Sequence, residues 1–404
     1  MKEWNSFTRI EAAFNHQIPD RVPKYEGSIE IPDLNPIING QQAGTGILTF
    51  SGKNINLFRK YPAIYNLFKI ILKKNQILQP FIKVFPKKVS ELHRKFNYDM
   101  YLTFPGIPMV FTDKIFQDFY AEEENRVIKG PGGYTVWRTS PDGAHTRNGF
   151  LRSSVDWEKY LHFDTENSAN WFLVKETVKI SKKLDIVPVF NIYGACAFEE
   201  LCQIFGFNTF FRLLIKEKSF IKRILKELSD YAIYTAERVI ENGGKYLYLT
   251  NDLGYKGRSF ISPALFNELF KPIIKKFCYK IHKLDGKIMM HSCGNIMELI
   301  PDLIDAGIDA LHPIEKAAGN DIVEIKEKFG NKLTLIGNVP IPLLTHGTIK
   351  DTSEYVKYLL KNISIDGGHI ISSSHSITSS CKLNNFLAYY KIIEDMGQYP
   401  IKIS

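Results

Sequence analysis

The feature that most constrains the fold is a regular alternation of short apolar runs and amphipathic stretches. From about residue 166 onward, each short run is followed by ten or more residues whose apolar positions recur at helical spacing. Such alternation implies parallel strands covered by helices, because parallel neighbours need a crossover of that length. The predicted strands are Ile186–Asn191, Tyr246–Thr250, Lys287–Met290, Asp309–Pro313, Leu333–Asn338 and His369–His375.

Two further strands are predicted earlier in the chain, one ending near Tyr25 and one over Asp99–Phe104. The total is then about eight, the number that a closed (β/α)8 TIM barrel needs. An open doubly wound sheet is the alternative. No Gly-x-Gly-x-x-Gly loop follows the first strand, which favours the barrel. We therefore predict an α/β fold, a single TIM-barrel domain over residues 1–404.

A basic segment over residues 35–96 interrupts this barrel pattern as an insertion. Between Leu34 and Ser90 there are nine Lys or Arg residues and no Asp or Glu. Apolar residues recur at helical spacing between the lysines, which predicts a basic amphipathic helix or helix pair. The pattern leaves open a solvated cap, a lid, a partner-docking surface or a membrane-surface contact.

The charge and cysteine content restrict the class of protein. The chain of 404 residues has a formal charge of +9, for which the insertion can account, and no zinc-finger or RNP-type motif. A basic face for an acidic protein partner is at least as plausible as nucleic-acid binding, and we expect no nucleic-acid partner. The sequence contains no run of about 18 apolar residues, so no transmembrane helix is predicted. The N-terminus lacks an apolar signal region, and the five scattered cysteines fit a reducing cytoplasm. Whether two copies associate as a homodimer is left open.

Polar side chains follow nearly every predicted strand. In TIM barrels the chemistry is carried by the C-terminal ends of the strands, so these residues are predicted to share one rim. Asp252, Glu315 and Asn338 are the candidate catalytic residues, and Glu30, Asn191 and Asn251 are candidates for substrate binding.

His291 and Cys293 are the strongest candidates for metal binding. They are two residues apart at a strand end, so their side chains point the same way, and imidazole and thiolate together form half of a zinc site. A catalytic zinc site needs a third protein ligand. His375 is one candidate, since its strand is expected one or two places from the His291 strand. Cys381 is the other.

Other acidic residues and histidines are weaker candidates for metal binding. Asp252, Glu315 and Glu30 are outside candidates for the third metal ligand. His312 precedes a proline, and His369 is expected at the buried start of its strand. We interpret both histidines as structural.

Several motifs resemble the uroporphyrinogen decarboxylase superfamily, whose members are TIM barrels. The resemblance covers the first 30 residues and about 185–396, and leaves out the insertion. The motifs that carry it are Arg9–Phe14, Pro19–Pro23, Ser262–Phe266 with Lys271-Pro272, His291–Asn295, Gly307–Glu315 and Leu335–Asn338.

The resemblance implies one of two chemistries. Decarboxylases of the superfamily carry arginines after the first strand, where this chain has Lys24–Glu30 and no arginine. The other branch contains zinc-dependent, corrinoid-linked methyltransferases similar to methylcobalamin:coenzyme M methyltransferase and to O-demethylase components. In that branch His-x-Cys and a later cysteine bind zinc. His291 and Cys293 match the first two, while His375 stands near the place of the later cysteine.

The resemblance therefore implies a cytoplasmic zinc-dependent methyltransferase. It would move a methyl group between a small-molecule donor or thiol acceptor and methylcobalamin or another corrinoid on a partner protein. No Asp-x-His-x-x-Gly cobalamin loop is present, so the corrinoid is expected on a separate protein. The alternatives are a cofactor-free decarboxylase of a porphyrinogen-like or other carboxylated substrate, and a non-catalytic barrel that binds a corrinoid protein.

Overall fold

A computed structural model gives the fold of the chain. It describes residues 3–27, 29, 31, 60–61, 90, 93–105, 110–111, 118–122, 127–133, 135–140, 143–146, 148–162 and 169–403. Eight parallel strands lie side by side in chain order. They are β1 Tyr25–Glu26, β2 Met100–Thr103, β3 Val187–Asn191, β4 Tyr246–Thr250, β5 Lys287–His291, β6 Ala310–His312, β7 Thr334–Ile336 and β8 His369–Ile370.

Backbone hydrogen bonds join the two ends of this sheet. The Tyr25 N–H donates to the Ile371 carbonyl at 3.0 Å, and the Ile371 N–H donates to the Pro23 carbonyl at 2.9 Å. Lys24 and Ile371 form a parallel bridge at the same place. The predicted (β/α)8 barrel is confirmed, since closure removes the sheet edges that an open doubly wound fold would keep.

Helices follow the barrel strands, as the periodicity predicts. Some of these helices begin at a capping residue; Ser262, for example, directly precedes Pro263 and its side chain accepts the Leu265 N–H. The α-helices of the described residues are Ser6–Phe14, Ser154–Tyr160, Ala169–Leu184, Phe198–Phe205, Phe207–Lys216, Lys218–Glu241, Pro263–Leu269, Lys271–His282, Ile300–Ala306, Ile322–Phe329, Ile341–Thr345, Ile349–Leu359 and Leu383–Met396.

The N-terminal helix covers one end of the barrel. The Phe14 ring lies 5.1 Å from the ring of Tyr246, the first residue of β4. The Thr334 hydroxyl, on the first residue of β7, donates to the Ala13 carbonyl at 3.1 Å. The helix thus seals the N-terminal ends of the strands. The opposite rim, at the C-terminal ends, remains available for chemistry.

Glu26 occupies a different place from the one expected. The sequence suggested a loop after the first strand, but Glu26 ends β1 and its side chain is fully buried. Its carboxylate accepts hydrogen bonds from the Ser373 backbone, the Ser373 hydroxyl and the Tyr389 hydroxyl. Glu26 therefore stabilises the junction between β1, the chain after β8 and the last helix, and its carboxylate does not face the rim.

A four-stranded antiparallel sheet precedes the regular part of the barrel. It consists of the strands Tyr120–Glu122, Val127–Lys129, Thr135–Ser140 and Gly143–Thr146. Most of the 35–96 insertion lies outside the described residues, so the insertion and the single-domain organisation stay predictions. At its described end, Phe96 packs against Phe386 of the last helix at 5.1 Å. Among the described helices, none has the length and apolarity to cross a membrane.

Candidate metal centre

Three potential metal ligands come together at the C-terminal ends of β4 and β5. These strands pair in parallel, with Thr250 opposite His291. Asp252 and Cys293 each lie two residues further along than these partners, so the pairing brings them side by side. One ligand atom each from Asp252, His291 and Cys293 lies within 4.8 Å of the others.

The three side chains contact one another directly. Cys293 Sγ lies 3.3 Å from His291 Nε2, and Asp252 Oδ1 lies 3.5 Å from the same nitrogen. Asp252 Oδ1 also accepts the Cys293 backbone N–H at 2.8 Å. Imidazole, thiolate and carboxylate are the three kinds of protein ligand that zinc takes, and three of them leave a fourth position free. The donor set therefore fits a catalytic metal ion.

The backbone after Cys293 is held by close packing. Gly294 has a φ of +80°, and a Cβ there would overlap the backbone of Gly254. The Asn295 N–H donates to the Tyr255 carbonyl at 2.9 Å, and the Gly294 N–H donates to Glu315 Oε2 at 3.0 Å. Only glycine satisfies both the positive φ and the close approach, so the Cys-Gly pair fixes where the thiol points.

The charges around the cluster favour a cation. Burial, together with the negative charges of Asp252, Glu315 and Glu199, raises the pKa of the Cys293 thiol well above its usual range. Burial opposes ionisation of Asp252 as well. The neighbouring imidazole of His291 and the Cys293 N–H outweigh it, so the pKa of Asp252 lies below its ordinary value. A bound cation would offset this excess of negative charge and stabilise the thiolate.

His312, on the neighbouring strand β6, contacts His291 on the side away from Cys293. The two Nδ1 atoms are 2.8 Å apart, and the Tyr248 hydroxyl lies 3.2 Å from His312 Nδ1. Burial and the neighbouring imidazoles of His291 and His375 lower the pKa of His312 well below its usual value. His312 is thus a neutral, buried neighbour of the cluster. This contact is not evident from the sequence, where His312 is interpreted as structural.

The two residues predicted as the third ligand have different surroundings. The His375 ring centroid lies 6.3 Å from that of His291, although β8 is three strands from β5 and not one or two as expected. After β8 the chain continues alongside the segment that follows β7, where Val339 and Ser373 form a parallel bridge. His375 thus lies close to His291 in spite of the wrong strand spacing. Cys381 is buried, and its sulfur lies 3.9 Å from the Thr378 hydroxyl. Neither residue joins the three-atom cluster, and their role as ligands stays a prediction.

Glu315 and Asn338, two other predicted site residues, form hydrogen bonds with the loops at the rim. Glu315 supports the Gly294 backbone, as described above. Asn338 is fully buried; its amide donates to the Ile314 carbonyl at 2.8 Å and accepts the Tyr355 hydroxyl at 3.0 Å. These hydrogen bonds show that Asn338 connects the loops that follow β6 and β7. Its catalytic role stays a prediction.

The candidates for substrate binding lie at the ends of β3 and β4. Asn191 Oδ1 accepts the Thr250 hydroxyl at 3.3 Å. Asn251 Oδ1 accepts the Glu199 N–H at 3.2 Å. Glu30 lies outside the described residues. Binding of a substrate by these residues stays a prediction.

Glu199 is a further residue of the site that the sequence argument missed. Its Oε2 accepts the Asp252 N–H at 3.2 Å, and its Oε1 accepts the Gln203 amide at 2.8 Å. Burial and the charges of Asp252 and Glu200 raise its pKa well above the usual range. Adjacent glutamates in the first turn after a barrel strand were the signal that could have revealed it.

Known proteins resemble the chain in both sequence and fold. Two methylcobamide:CoM methyltransferases, MtaA of Methanosarcina barkeri and MtaA of its strain Fusaro / DSM 804, are each 22% identical to it, over 188 and 140 residues. These matches cover 46% and 35% of this chain and 52% and 39% of the relatives, so the chain spans about half the length of the curated relatives it matches.

A solved structure described as a methyltransferase from Methanosarcina mazei shares the fold. Its TM-score is 0.62 at 16% identity, and the match covers 97% of this chain and 99% of that one. The family model described as uroporphyrinogen decarboxylase (URO-D) matches residues 131–396, well over half of the chain. That span includes β3 to β8 and all three residues of the cluster. The chain belongs to the uroporphyrinogen decarboxylase (URO-D) family.

Proposed function

We propose that this protein is a zinc-dependent methyltransferase that works with a separate corrinoid protein. It moves a methyl group between that corrinoid and a small molecule, either a methyl donor or a thiol acceptor. The observation that carries the proposal is the cluster of Asp252, His291 and Cys293, whose ligand atoms lie within 4.8 Å of one another at the barrel rim. The methylcobamide:CoM methyltransferases among the similar proteins support the same reaction class.

The three residues would hold the metal through one oxygen, one nitrogen and one sulfur atom. A zinc ion bound there supplies a positive centre that keeps a thiol ionised near neutral pH or polarises an ether oxygen. The side chain of Asp252 is 38% exposed and that of His291 is 11% exposed, so the cluster opens towards the rim. This accessibility suits a reaction in which the methyl carrier belongs to another protein.

The surrounding residues position the ligands. Asp252 fixes the Cys293 backbone through its 2.8 Å hydrogen bond, and Glu315 fixes the next residue through the Gly294 N–H. In the direction towards a thiol, the thiol proton is released and a sulfur–carbon bond forms. The methylcorrinoid of the partner protein would supply the methyl group and keep the electron pair of the bond that it loses. The chain's role in that step is to orient and ionise the acceptor.

Metal analysis and a corrinoid assay test the proposal. We expect about one zinc per chain in the purified protein, strongly reduced in His291→Ala, because losing one of three ligands weakens binding. With CoM as acceptor, free methylcobalamin should be converted to cob(I)alamin in a zinc-dependent way, measured by absorption under anaerobic conditions. A zinc content below half an equivalent that His291→Ala leaves unchanged would overturn the metal assignment.

The same preparations separate the alternatives. Metal-independent release of CO2 from a porphyrinogen would favour the decarboxylase. Binding of a corrinoid protein, weakened by salt and without any change in the corrinoid spectrum under any methyl donor, would favour a non-catalytic barrel.

A further inference from the structure

We propose that His312 is a positioning residue that fixes the tautomer of His291, so that the Nε2 lone pair of His291 faces Cys293 and Asp252. The inference rests on the proposed metal-dependent function and extends it to a residue outside the ligand cluster. It assigns to His312 a task that its sequence context, before a proline at a strand end, does not reveal.

The strand register holds the two imidazoles together. His291 and His312 are direct partners in the parallel pairing of β5 and β6. The Ser292 N–H donates to the His312 carbonyl at 2.9 Å, and the two rings lie 5.0 Å apart between centroids. Since the backbones are fixed by the barrel, the contact between the rings is built into the fold and needs no rearrangement.

The short contact between the rings requires one shared proton. Two Nδ1 atoms 2.8 Å apart form a hydrogen bond only if one carries the hydrogen and the other offers its lone pair. If His291 Nδ1 carries it, His291 Nε2 is left as a lone pair 3.3 Å from Cys293 Sγ. If His312 Nδ1 carries it, His291 must hold its proton on Nε2, where it blocks the metal-binding position.

The first arrangement is the one that permits metal binding, because it leaves the lone pair of His291 Nε2 free. In it, the single lone pair of His312 Nδ1 accepts the His291 N–H at 2.8 Å, and the Tyr248 hydroxyl lies 3.2 Å from the same nitrogen. The ring is only 4% exposed, and the Tyr25 ring meets it edge-on at 5.4 Å. A metal-ligating histidine commonly donates its second N–H to a carboxylate, carbonyl or water. Here an imidazole takes that place, and it adds no negative charge beside Asp252 and Cys293.

Two substitutions at His312 distinguish the contribution of its hydrogen-bond acceptor from that of its aromatic ring. His312→Phe keeps an aromatic ring but removes the acceptor, whereas His312→Asn keeps an amide oxygen at about the place of Nδ1. Zinc affinity is measured by competition with a chromophoric chelator, and Co2+ absorption reports the ligand geometry. We expect His312→Phe to bind zinc about 10- to 100-fold more weakly, the usual effect of losing such a partner. His312→Asn should stay close to the wild-type affinity and spectrum.

His369→Phe is the matched control. His369 is another buried histidine with both ring nitrogens hydrogen-bonded, to the Ser364 hydroxyl and to the Gly337 carbonyl, each at 2.7 Å. Its loss should lower the urea midpoint of unfolding without changing zinc affinity. The unfolding of each His312 variant, measured alongside, separates a general loss of stability from a loss of metal binding.

Each outcome decides a different question. If the wild-type protein binds no zinc, the proposed function fails. If wild type and His312→Phe bind zinc equally well, the positioning role fails while the proposed function stands. If His312→Phe and His312→Asn lose the same affinity, the ring itself matters, and the acceptor role is overturned. Only a loss in His312→Phe that His312→Asn restores supports the tautomer assignment.

Discussion

Asp252 Oδ1 accepts the backbone N–H of Cys293 at 2.8 Å and at the same time lies 3.5 Å from His291 Nε2. One carboxylate oxygen therefore contacts both residues of the His-x-Cys pair. The sequence alone ranked His375 and Cys381 above Asp252 as the third metal ligand. The geometry makes the carboxylate the best-placed donor of the three, since neither His375 nor Cys381 joins the cluster.

Substitutions of the three candidates should rank them. We expect Asp252→Asn to lower zinc affinity most, because it removes a charged donor while its amide oxygen can still accept the Cys293 N–H. His375→Ala and Cys381→Ser should have smaller effects. Zinc affinities from chelator competition give the order. A larger loss in His375→Ala than in Asp252→Asn would make the imidazole the third ligand.

Glu315→Gln is the matched control for Asp252→Asn. Glu315 is also a carboxylate that accepts a backbone N–H of the same loop, that of Gly294 at 3.0 Å, but it lies outside the three-atom cluster. Its neutralisation removes a nearby charge but no ligand, so it should lower zinc affinity clearly less than Asp252→Asn does. An equal loss in both variants would point to general electrostatics and not to ligation by Asp252.

Metal uptake should release a proton from Cys293. Burial and the neighbouring carboxylates raise the pKa of this thiol well above its usual range, so the metal-free protein holds the thiol protonated at about pH 7.5. Zinc binds the thiolate, so we expect about one proton released per metal bound. Calorimetric titrations in buffers of different ionisation enthalpy measure this number. No release would mean that Cys293 is not a ligand, and a release well above one would bring in a second thiol such as Cys381.

The sequence predicted the barrel because its evidence was periodic and repeated. Each strand and helix of the regular region contributed the same alternation, and errors at single boundaries did not change the count of eight. The His291 and Cys293 pair was also predictable, since side chains two apart on a strand share a face. The family match and the barrel confirm the superfamily and fold that these patterns indicated.

The residues that contact His291 and Cys293 from neighbouring strands could not be predicted in the same way. Asp252 reaches Cys293 because β4 and β5 pair in a register that the sequence does not reveal. His312 faces His291 for the same reason, across β5 and β6. From its place after the first predicted strand, Glu26 would be expected in a loop. Side chains alternate along β1, however, so Tyr25 points into the barrel interior and Glu26 points outward, where it accepts the Tyr389 hydroxyl. Cross-strand contacts need coordinates, whereas local contacts along one strand do not.

Glu26 should make stability depend on pH. Burial raises its pKa to about 7 from an ordinary value of 4.5, although bonds from Ser373 and Tyr389 oppose the shift. Between these values the folded state holds a proton that the unfolded chain has lost, so stability falls as pH rises from about 4.5 to 7. The shift corresponds to on the order of 3 kcal/mol. Glu26→Gln removes this dependence, so the variant should gain stability relative to wild type between pH 5 and pH 8.

Urea unfolding at the two pH values measures the difference between the proteins. Glu327→Gln is the control, because Glu327 is an exposed carboxylate whose neutralisation should change stability equally little at both values. A constant difference between wild type and Glu26→Gln across this range would show that Glu26 ionises normally in the folded protein.

Gly294 and Gly257 form a natural pair for testing the loop that carries Cys293. Both have positive φ, +80° and +99°, so alanine is strained at either position. A Cβ at Gly257 would meet nothing within 4 Å, whereas a Cβ at Gly294 would overlap the Gly254 backbone. The difference between the two substitutions therefore isolates the close packing beneath the thiol from the strain of the backbone.

Gly294→Ala should accordingly disturb both stability and metal binding, while Gly257→Ala should disturb only stability. For Gly257→Ala we expect a loss of about 1 kcal/mol from strain alone. In Gly294→Ala the loop must move away from Gly254, which shifts Cys293 relative to His291 and should lower zinc affinity at least tenfold, as loss of a supporting contact does. Urea unfolding and chelator competition measure the two effects. Equal zinc affinities in the two variants would mean that the packing of Gly294 against Gly254 does not position the thiol.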